Sequence, residues 1–182
     1  VVHSGMDNNN CMKLKLAQAN RHYVVKGEAF EASGFHITPF GVPHDSSDNV
    51  GYSIEYEGVV FTLLTDVGHI TEEMKAIIRN TDYLVIEANY DLQMLQNGPY
   101  PRHLQERIQC GTGHLSNAQC GAALVENYTE RLKHIWLCHL SEENNHPELA
   151  RKSIEQALSD AGIKVKLDVL RRKQPTGVFE LV

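Results

Sequence analysis

The sequence has no long apolar run, no closely spaced cysteines and no excess of basic residues. A helix that crosses a bilayer needs about 20 consecutive apolar residues, and every apolar run here is far shorter. The four cysteines are widely spaced and form no Cys-x-x-Cys motif, which favours reduced thiols over a disulfide framework. Val1-Val2-His3 is not followed by the apolar stretch of a signal peptide. These absences predict a cytoplasmic protein without a membrane segment.

The charge balance is acidic, with 17 basic against 23 acidic side chains and a net charge of −6. Such a surface has no general attraction to nucleic acid, so binding of that kind requires a local basic patch or a metal ion. The length of 182 residues and the 42% hydrophobic content suit one domain with a sizeable core. Ten histidines are many for this length, and their positions are the basis of the functional prediction.

Strand and helix patterns alternate after residue 58, which predicts an α/β domain. The predicted strands cover residues 21–26, 35–40, 59–64, 82–88, 133–139, 163–170 and 178–182. The predicted helices cover residues 6–19, 71–79, 92–96, 102–109, 118–128 and 147–161. Glu57-Gly58 is predicted as the tight turn of a hairpin. Either Ser116 or Asn117 is expected to cap the helix that follows it.

Three polar side chains stand beside the clearest strand patterns. Asp66 follows the apolar run of residues 59–64, and His139 ends the run that begins at Lys133. His44 lies in the polar turn before the hairpin, so folding of the hairpin brings it to the same edge of the sheet as Asp66. Open α/β sheets hold ligands and metals at this edge. We therefore predict a metal site of His44, Asp66 and His139, a set of imidazole and carboxylate ligands suited to zinc or manganese.

Other polar residues each have two interpretations that the sequence leaves open. Glu87 either orients a metal ligand or serves as an N-cap or surface acid. His114, in a glycine-rich segment, either acts as a general acid or only caps the following helix. His69 either approaches the site or faces solvent. Five basic residues either contact phosphate or are solvated charges, namely Arg102, Arg107, Arg171, Arg172 and Lys173.

Six segments in a fixed order resemble the metallo-β-lactamase-fold hydrolases, and more narrowly their YycJ/WalJ-type, nuclease-like branch. These segments read VPHDSSDNVGY, TDVGHIT, LVIEANYD, NGPYPRHLQERI, GHLSN and CHLSEENNHPELA. The resemblance implies the C-terminal portion of an αββα sandwich, with mixed β-sheets and flanking helices. It also implies that His44, Asp66 and His139 are metal ligands, and that Asp66 bridges two divalent ions in the complete site.

The GHLSN segment is similar to the histidine loop of the tRNA 3′-processing nuclease in this superfamily. That likeness implies that His114 assists phosphodiester cleavage, which makes His114 and Asp66 the expected catalytic residues. At Tyr90 the chain departs from the pattern, because a histidine often stands there in relatives. No role is therefore predicted for Tyr90.

The leading metal motif of the superfamily, HxHxDH, is absent from these residues. We therefore expect residues 1–182 to be a single domain that lacks its N-terminal strands and its first metal motif, either as a truncated polypeptide or as a degenerate relative.

The predicted function is metal-dependent hydrolysis of phosphodiesters by a nuclease of DNA or RNA, exonuclease-like in type. One alternative is a hydrolase of small phosphodiesters, esters or thioesters with the same fold. The other is an inactive structural or interaction module. The expected partner is nucleic acid or a small phosphodiester, with no membrane, and the expected cofactors are two divalent ions, zinc or manganese.

Overall fold

The computed structural model describes residues 23–46 and 48–181. Its strands are β1 (Phe30–Ala32), β2 (Phe35–Gly41), β3 (Val50–Tyr56), β4 (Val59–Leu64), β5 (Tyr83–Glu87), β6 (His134–Cys138) and β7 (Lys166–Val169). Its helices are α1 (Glu72–Arg79), α2 (Leu92–Asn97), α3 (Arg102–Gln109), α4 (Asn117–Asn127) and α5 (Pro147–Asp160). The predicted alternation of strands and helices after residue 58 is confirmed from β4 onward.

The seven strands form a mixed sheet whose order follows the chain from β1 to β7. β1 to β4 are antiparallel, whereas β4 to β7 are parallel. Parallel neighbours need crossover connections, and helices occupy those that join β4 to β5, β5 to β6 and β6 to β7. The carboxyl ends of β4, β5 and β6 consequently lie at the same edge of the sheet.

Two-residue turns close two of the three connections in the antiparallel part. Ser33 and Gly34 join β1 to β2 with φ angles of 51° and 84°. Glu57 and Gly58 join β3 to β4 with φ angles of 49° and 81°. Positive φ at both central residues is characteristic of the type I′ turn, whose twist matches that of the flanking strands. The predicted Glu57-Gly58 turn is confirmed.

The two faces of the sheet carry separate cores, because successive side chains of a strand point in opposite directions. On one face, Leu84 and Ile86 belong to a large core that also contains buried residues of α1, α4 and α5. On the other face, Tyr83 and Trp136 belong to a smaller cluster. Phe179 packs edge-on against Trp136 there, with ring centroids 5.0 Å apart. The helices therefore cover one face, and the C-terminal segment covers part of the other.

Strand β7 is shorter than predicted. The alternating pattern of residues 163–170 predicted a strand over the whole segment, but β7 spans only Lys166–Val169. Its ladder pairs these four residues with the run from His134 to Leu137 in β6. A segment with alternating polar and apolar residues forms a strand only where a neighbouring strand offers free backbone groups. The alternation in the sequence does not show where that pairing ends.

Two other strand predictions are wrong. Residues 178–181 form no strand, and Phe179 contributes its ring to the sheet face in place of backbone pairing. Residues 23–26, predicted as the end of a strand, are irregular and lead into a turn. The remainder of that strand, the predicted helix over 6–19 and the final residue lie outside the described residues.

Ser116, and not Asn117, caps α4. Its Oγ accepts a hydrogen bond from the backbone N–H of Gln119 at 3.2 Å, and its own backbone N–H donates to Gln119 Oε1 at 2.9 Å. This reciprocal capping box satisfies two backbone donors at once. The interpretation of His114 as the helix cap is therefore wrong, and its side chain is available for another role.

A mixed sheet with flanking helices agrees with the predicted fold class. None of the helices in the described ranges combines the length and the hydropathy needed to cross a bilayer.

Candidate metal centre

Adjacent parallel strands place their terminal polar residues side by side. Glu87 is the last residue of β5, His139 follows the end of β6, and Asp66 lies just beyond β4. Asp66 and His139 both have left-handed backbone conformations, with φ angles of 56° and 54°. Such angles are uncommon outside glycine and concentrate at functional positions. Both residues stand just beyond the end of a strand, which is where open α/β sheets hold ligands.

The three residues predicted as metal ligands meet around one carboxylate. His44 Nε2 lies 3.5 Å from Asp66 Oδ1, and His139 Nδ1 lies 3.7 Å from the same oxygen. His114 stands beside them, with its ring centroid 4.9 Å from that of His44 and 5.3 Å from that of His139. The predicted convergence of strand ends is thus present, and His114 joins it.

A compact group of potential ligand atoms also forms here. Four potential ligand atoms lie within 4.8 Å of one another, one from each of Asp66, Glu87, His114 and His139. His44 is outside that group of four but is held against Asp66. The structure therefore adds Glu87 and His114 to the neighbourhood predicted from the sequence, and the role of His44, Asp66 and His139 as ligands stays a prediction.

Glu87 is the buried hub of the site, with no exposed side-chain surface. Its Oε1 lies 3.0 Å from His114 Nδ1 and accepts the backbone N–H of Leu115 at 3.0 Å. Its Oε2 lies 2.9 Å from His139 Nδ1 and accepts the backbone N–H of Val67 at 3.2 Å. The surface-acid interpretation of Glu87 is wrong, because this carboxylate binds two imidazoles and two backbone donors.

These contacts shift the pKa values of the hub and of one imidazole. Burial by itself would raise the pKa of Glu87, but hydrogen bonds from His114 and His139, with their charge, outweigh it and lower the pKa. The hydrogen bond to Glu87 raises the pKa of His139 against the opposing effect of burial, and the charge of Asp66 adds to the rise. Glu87 is therefore ionised and can hold both imidazoles through their Nδ1 atoms.

A glycine-rich loop fixes the ring of His44. His44 Nδ1 lies 2.9 Å from the carbonyl oxygen of Gly113, and the backbone N–H of Asp45 donates to the carbonyl of Thr112 at 2.9 Å. A ring nitrogen that faces a carbonyl must carry the proton, which leaves the Nε2 lone pair of His44 directed to Asp66. His69 is exposed, and its Nδ1 contacts the carbonyl of Gly111 at 2.7 Å, away from the ligand group.

Buried amides support the backbone around His139. Asn89 Nδ2 donates to the carbonyl of His139 at 2.8 Å. Asn145 Nδ2 in turn donates to the carbonyl of Ala88 at 2.9 Å and to Asn117 Oδ1 at 2.8 Å. This network joins the ends of β5 and β6 to the start of α4. Sequence reasoning missed it, because a lone asparagine gives no periodic signal.

The chemistry of these atoms fits a divalent metal ion. Imidazole nitrogen and carboxylate oxygen are ligands of zinc and manganese. The Nδ1 of His44 is tied to a carbonyl, which leaves its Nε2, 3.5 Å from Asp66, free to ligate. The Nδ1 of His139 is tied to the carboxylate of Glu87. Metal-binding histidines commonly have this outer support. Asp66 completes the arrangement with a carboxylate whose side chain is 37% exposed.

Gly113→Ala is expected to lower metal affinity by about 10-fold or more, the loss typical when support behind a ligand is removed. A Cβ at Gly113 would collide with the carbonyls of Arg107 and Ile108 in the preceding helix, so the loop that holds His44 must shift. Gly111→Ala is the matched control, because the nearest atom to its Cβ would be His69 Nδ1 at 3.8 Å. Titration of both full-length variants with manganese checks this, and equal affinities would contradict the role of the loop.

A cleft of about 420 Å³ opens from the imidazoles to helix α3. His44, His114 and His139 line its inner side, and residues of α3 line the outer side. This volume lies within the range of sites for small ligands. The centre is therefore reachable from solvent, which a reactive site needs.

A family described as "Beta-lactamase superfamily domain" matches residues 2–135 of the chain. "Exodeoxyribonuclease YycJ" of Bacillus anthracis is 36% identical over 129 residues, which cover 71% of this chain and 49% of that protein. "Exodeoxyribonuclease WalJ" of Streptococcus pneumoniae serotype 2 is 35% identical over 154 residues, which cover 85% of this chain and 57% of that protein. The chain thus spans about half the length of these curated relatives.

Solved structures show the same fold. The metallo-β-lactamase-fold protein YhfI of Bacillus subtilis has a TM-score of 0.63 at 16% identity, with 91% of this chain and 60% of that chain covered. Zn²⁺-bound PqqB of Methylobacterium extorquens has a TM-score of 0.58 at 22% identity, with 90% and 62% covered. Together with the family match, these findings confirm the predicted fold class. The chain belongs to the β-lactamase superfamily, as a metallo-β-lactamase-fold protein of the YycJ/WalJ type.

Proposed function

We propose that this chain carries part of the active site of a metal-dependent phosphodiesterase that removes nucleotides from DNA or RNA ends. The observation that carries the proposal is the meeting of two imidazoles, His44 and His139, around the carboxylate of Asp66 at the rim of an open cleft. The names of the two curated relatives, both exodeoxyribonucleases, support the choice of nucleic acid as substrate.

His44, Asp66 and His139 would hold the metal, with Asp66 between two ions in the complete site. Zinc and manganese both suit these donors. Bound divalent ions supply charge neutralisation at a phosphate and a nucleophile at neutral pH. The chain itself supplies the fixed orientation of each ligand, through the carbonyl of Gly113 behind His44 and the carboxylate of Glu87 behind His139.

His114 would act as the general acid for the leaving oxygen. It lines the cleft beside His44 and His139, and its Nδ1 is held by Glu87. Its Nε2 is then the atom that can give a proton to a substrate, while the buried carboxylate stabilises the charged ring before transfer. This arrangement joins the proton donor His114 and the proposed metal ligand His139 through one buried carboxylate.

A small phosphodiester is the second candidate substrate. The net charge of −6 opposes the approach of a long polyanion. A substrate with a single phosphodiester meets less of this repulsion. The two candidates use the same metal chemistry and differ only in what the cleft accepts.

Full-length protein supplied with manganese is expected to shorten single-stranded oligonucleotides from one end, and to lose this activity when the metal is chelated. Product lengths on a sequencing gel, compared with hydrolysis of bis-p-nitrophenyl phosphate, provide the measurement. Hydrolysis of the small ester alone would favour the second candidate. Cleavage of neither substrate at any metal concentration would overturn both.

A further inference from the structure

Helix α3 contributes no fully buried residue, although it has an apolar stripe. Leu104 and Ile108 are spaced four residues apart and lie on one side of the helix, and Tyr100 lies in the bend just before it. All three are partly buried. In the part of the chain that the structure describes, Leu104 and Ile108 are not among the side chains that pack on either core. The stripe therefore does not serve to attach the helix to the body of the fold.

The stripe faces the cleft of the candidate metal centre instead. Tyr100, Leu104 and Ile108 line the same 420 Å³ cleft as His114 and His139. An aromatic ring and two aliphatic side chains thus stand across from the imidazoles, with open space between them. A ligand that fills this space has a charged group at the imidazoles and a flat apolar group at α3.

Arg107 extends the same wall toward the metal centre. Its Nε donates to Asp45 Oδ2 at 2.5 Å, and Asp45 Oδ1 lies 3.6 Å from His44 Nε2. This ion pair with Asp45 anchors the guanidinium at the edge of the cleft. A guanidinium carries five N–H donors. The terminal nitrogens of Arg107, on a side chain that is 65% exposed, can bind a phosphate while Nε stays on Asp45.

We propose that this wall of α3 is a nucleotide-binding subsite in which Tyr100, Leu104 and Ile108 hold the base of the terminal nucleotide and Arg107 contacts its phosphate. The inference rests on the proposed function and adds the part of the substrate that the site recognises. Stacking of bases on aromatic rings is tolerant of sequence, because every base has a π-face. The subsite therefore favours an unpaired strand end over a base-paired one, without selecting a particular base.

A cycle that removes the tyrosine ring and the base separately tests the subsite. Full-length wild type, Tyr100→Ala and Tyr100→Phe are compared on single-stranded oligonucleotides that end either in a normal nucleotide or in an abasic one. We expect Tyr100→Ala to weaken binding of the normal strand about 10-fold, in line with the loss of one stacked base, and to leave the abasic strand unaffected. Tyr100→Phe retains the ring and should bind both strands as wild type does.

Two further variants separate the subsite from general damage. Tyr56→Ala removes a tyrosine that is 45% exposed at a hairpin end, and it should leave the binding of both strands unchanged. Arg107→Gln should weaken the binding of both strands equally, because both strands carry the phosphate. If Tyr100→Ala weakens the binding of both strands by the same factor, or changes the binding of neither, the proposed subsite is overturned while the nuclease function stands. If wild type neither binds nor cleaves either strand, the proposed function fails first.

Discussion

Asp66→Asn is expected to remove metal-dependent cleavage, with a loss greater than the roughly 100-fold maximum typical of residues that only support a ligand. Both His44 and His139 approach the carboxylate of Asp66. Asparagine keeps the size of the side chain but loses its charge and one of its oxygen acceptors. Asparagine also tolerates the left-handed backbone found at this position, with φ of 56°. The fold should therefore survive while the metal site does not.

Metal content of the purified variant, together with its rate on oligonucleotides, checks this expectation. Asp160→Asn makes the same chemical change at the exposed end of α5, and it should leave both quantities unchanged. A circular dichroism melt similar to that of wild type would show that Asp66→Asn is folded. Retention of bound manganese and of cleavage by a folded Asp66→Asn protein would remove Asp66 from the mechanism.

Glu87→Gln is expected to lower activity and metal affinity by about 10- to 100-fold, the range for groups that orient metal ligands. Each oxygen of Glu87 accepts one imidazole and one backbone N–H. A glutamine presents an NH₂ group to one of these pairs, so one backbone donor loses its acceptor. The imidazole beside that NH₂ can regain a bond only with Nδ1 as the acceptor and its proton on Nε2. This changes the tautomer of His139 as a ligand, or removes the positive charge that makes His114 an acid.

The same substitution should also cost stability, by about 1–3 kcal/mol for the buried N–H left without a partner. Because the folded pKa of Glu87 is lowered from its ordinary 4.5, its ionised form contributes stability that is complete above that pH and is lost as the pH falls further. Urea unfolding at several pH values, with Glu126→Gln at an exposed site as the control, measures both effects. A Glu87→Gln protein with unaltered stability and activity would show that the hub is dispensable.

The strand ends were predictable because their signals are local. The apolar run before Asp66 and the run before His139 each fit one buried strand, and parallel neighbours bring their ends together. Their meeting with His44 is visible in the distances of 3.5 and 3.7 Å to Asp66. The tight turn at Glu57-Gly58 likewise depends on two adjacent residues and follows from turn chemistry alone.

The rest of the site depends on contacts that leave no pattern in the sequence. Glu87 is a terminal residue of a strand like many others, and its burial between two imidazoles emerges only when β5 is placed between β4 and β6. The hold on His44 comes from the carbonyl of Gly113, 69 positions away, and every residue has a carbonyl. Tyr100 was not predicted as a site residue, because the short and polar sequence of α3 gives little reason to expect an apolar surface there.

The geometry of the centre originates in the sheet and not in the helices. Asp66, Glu87 and His139 leave adjacent hydrogen-bonded strands, whose separation of about 4.7–4.9 Å is set by the ladder itself. The interiors of α1 and α5, by contrast, pack only into the large core on one face. We therefore expect substitutions inside α1 and α5 to change the melting temperature of the protein more than the spacing of these three side chains.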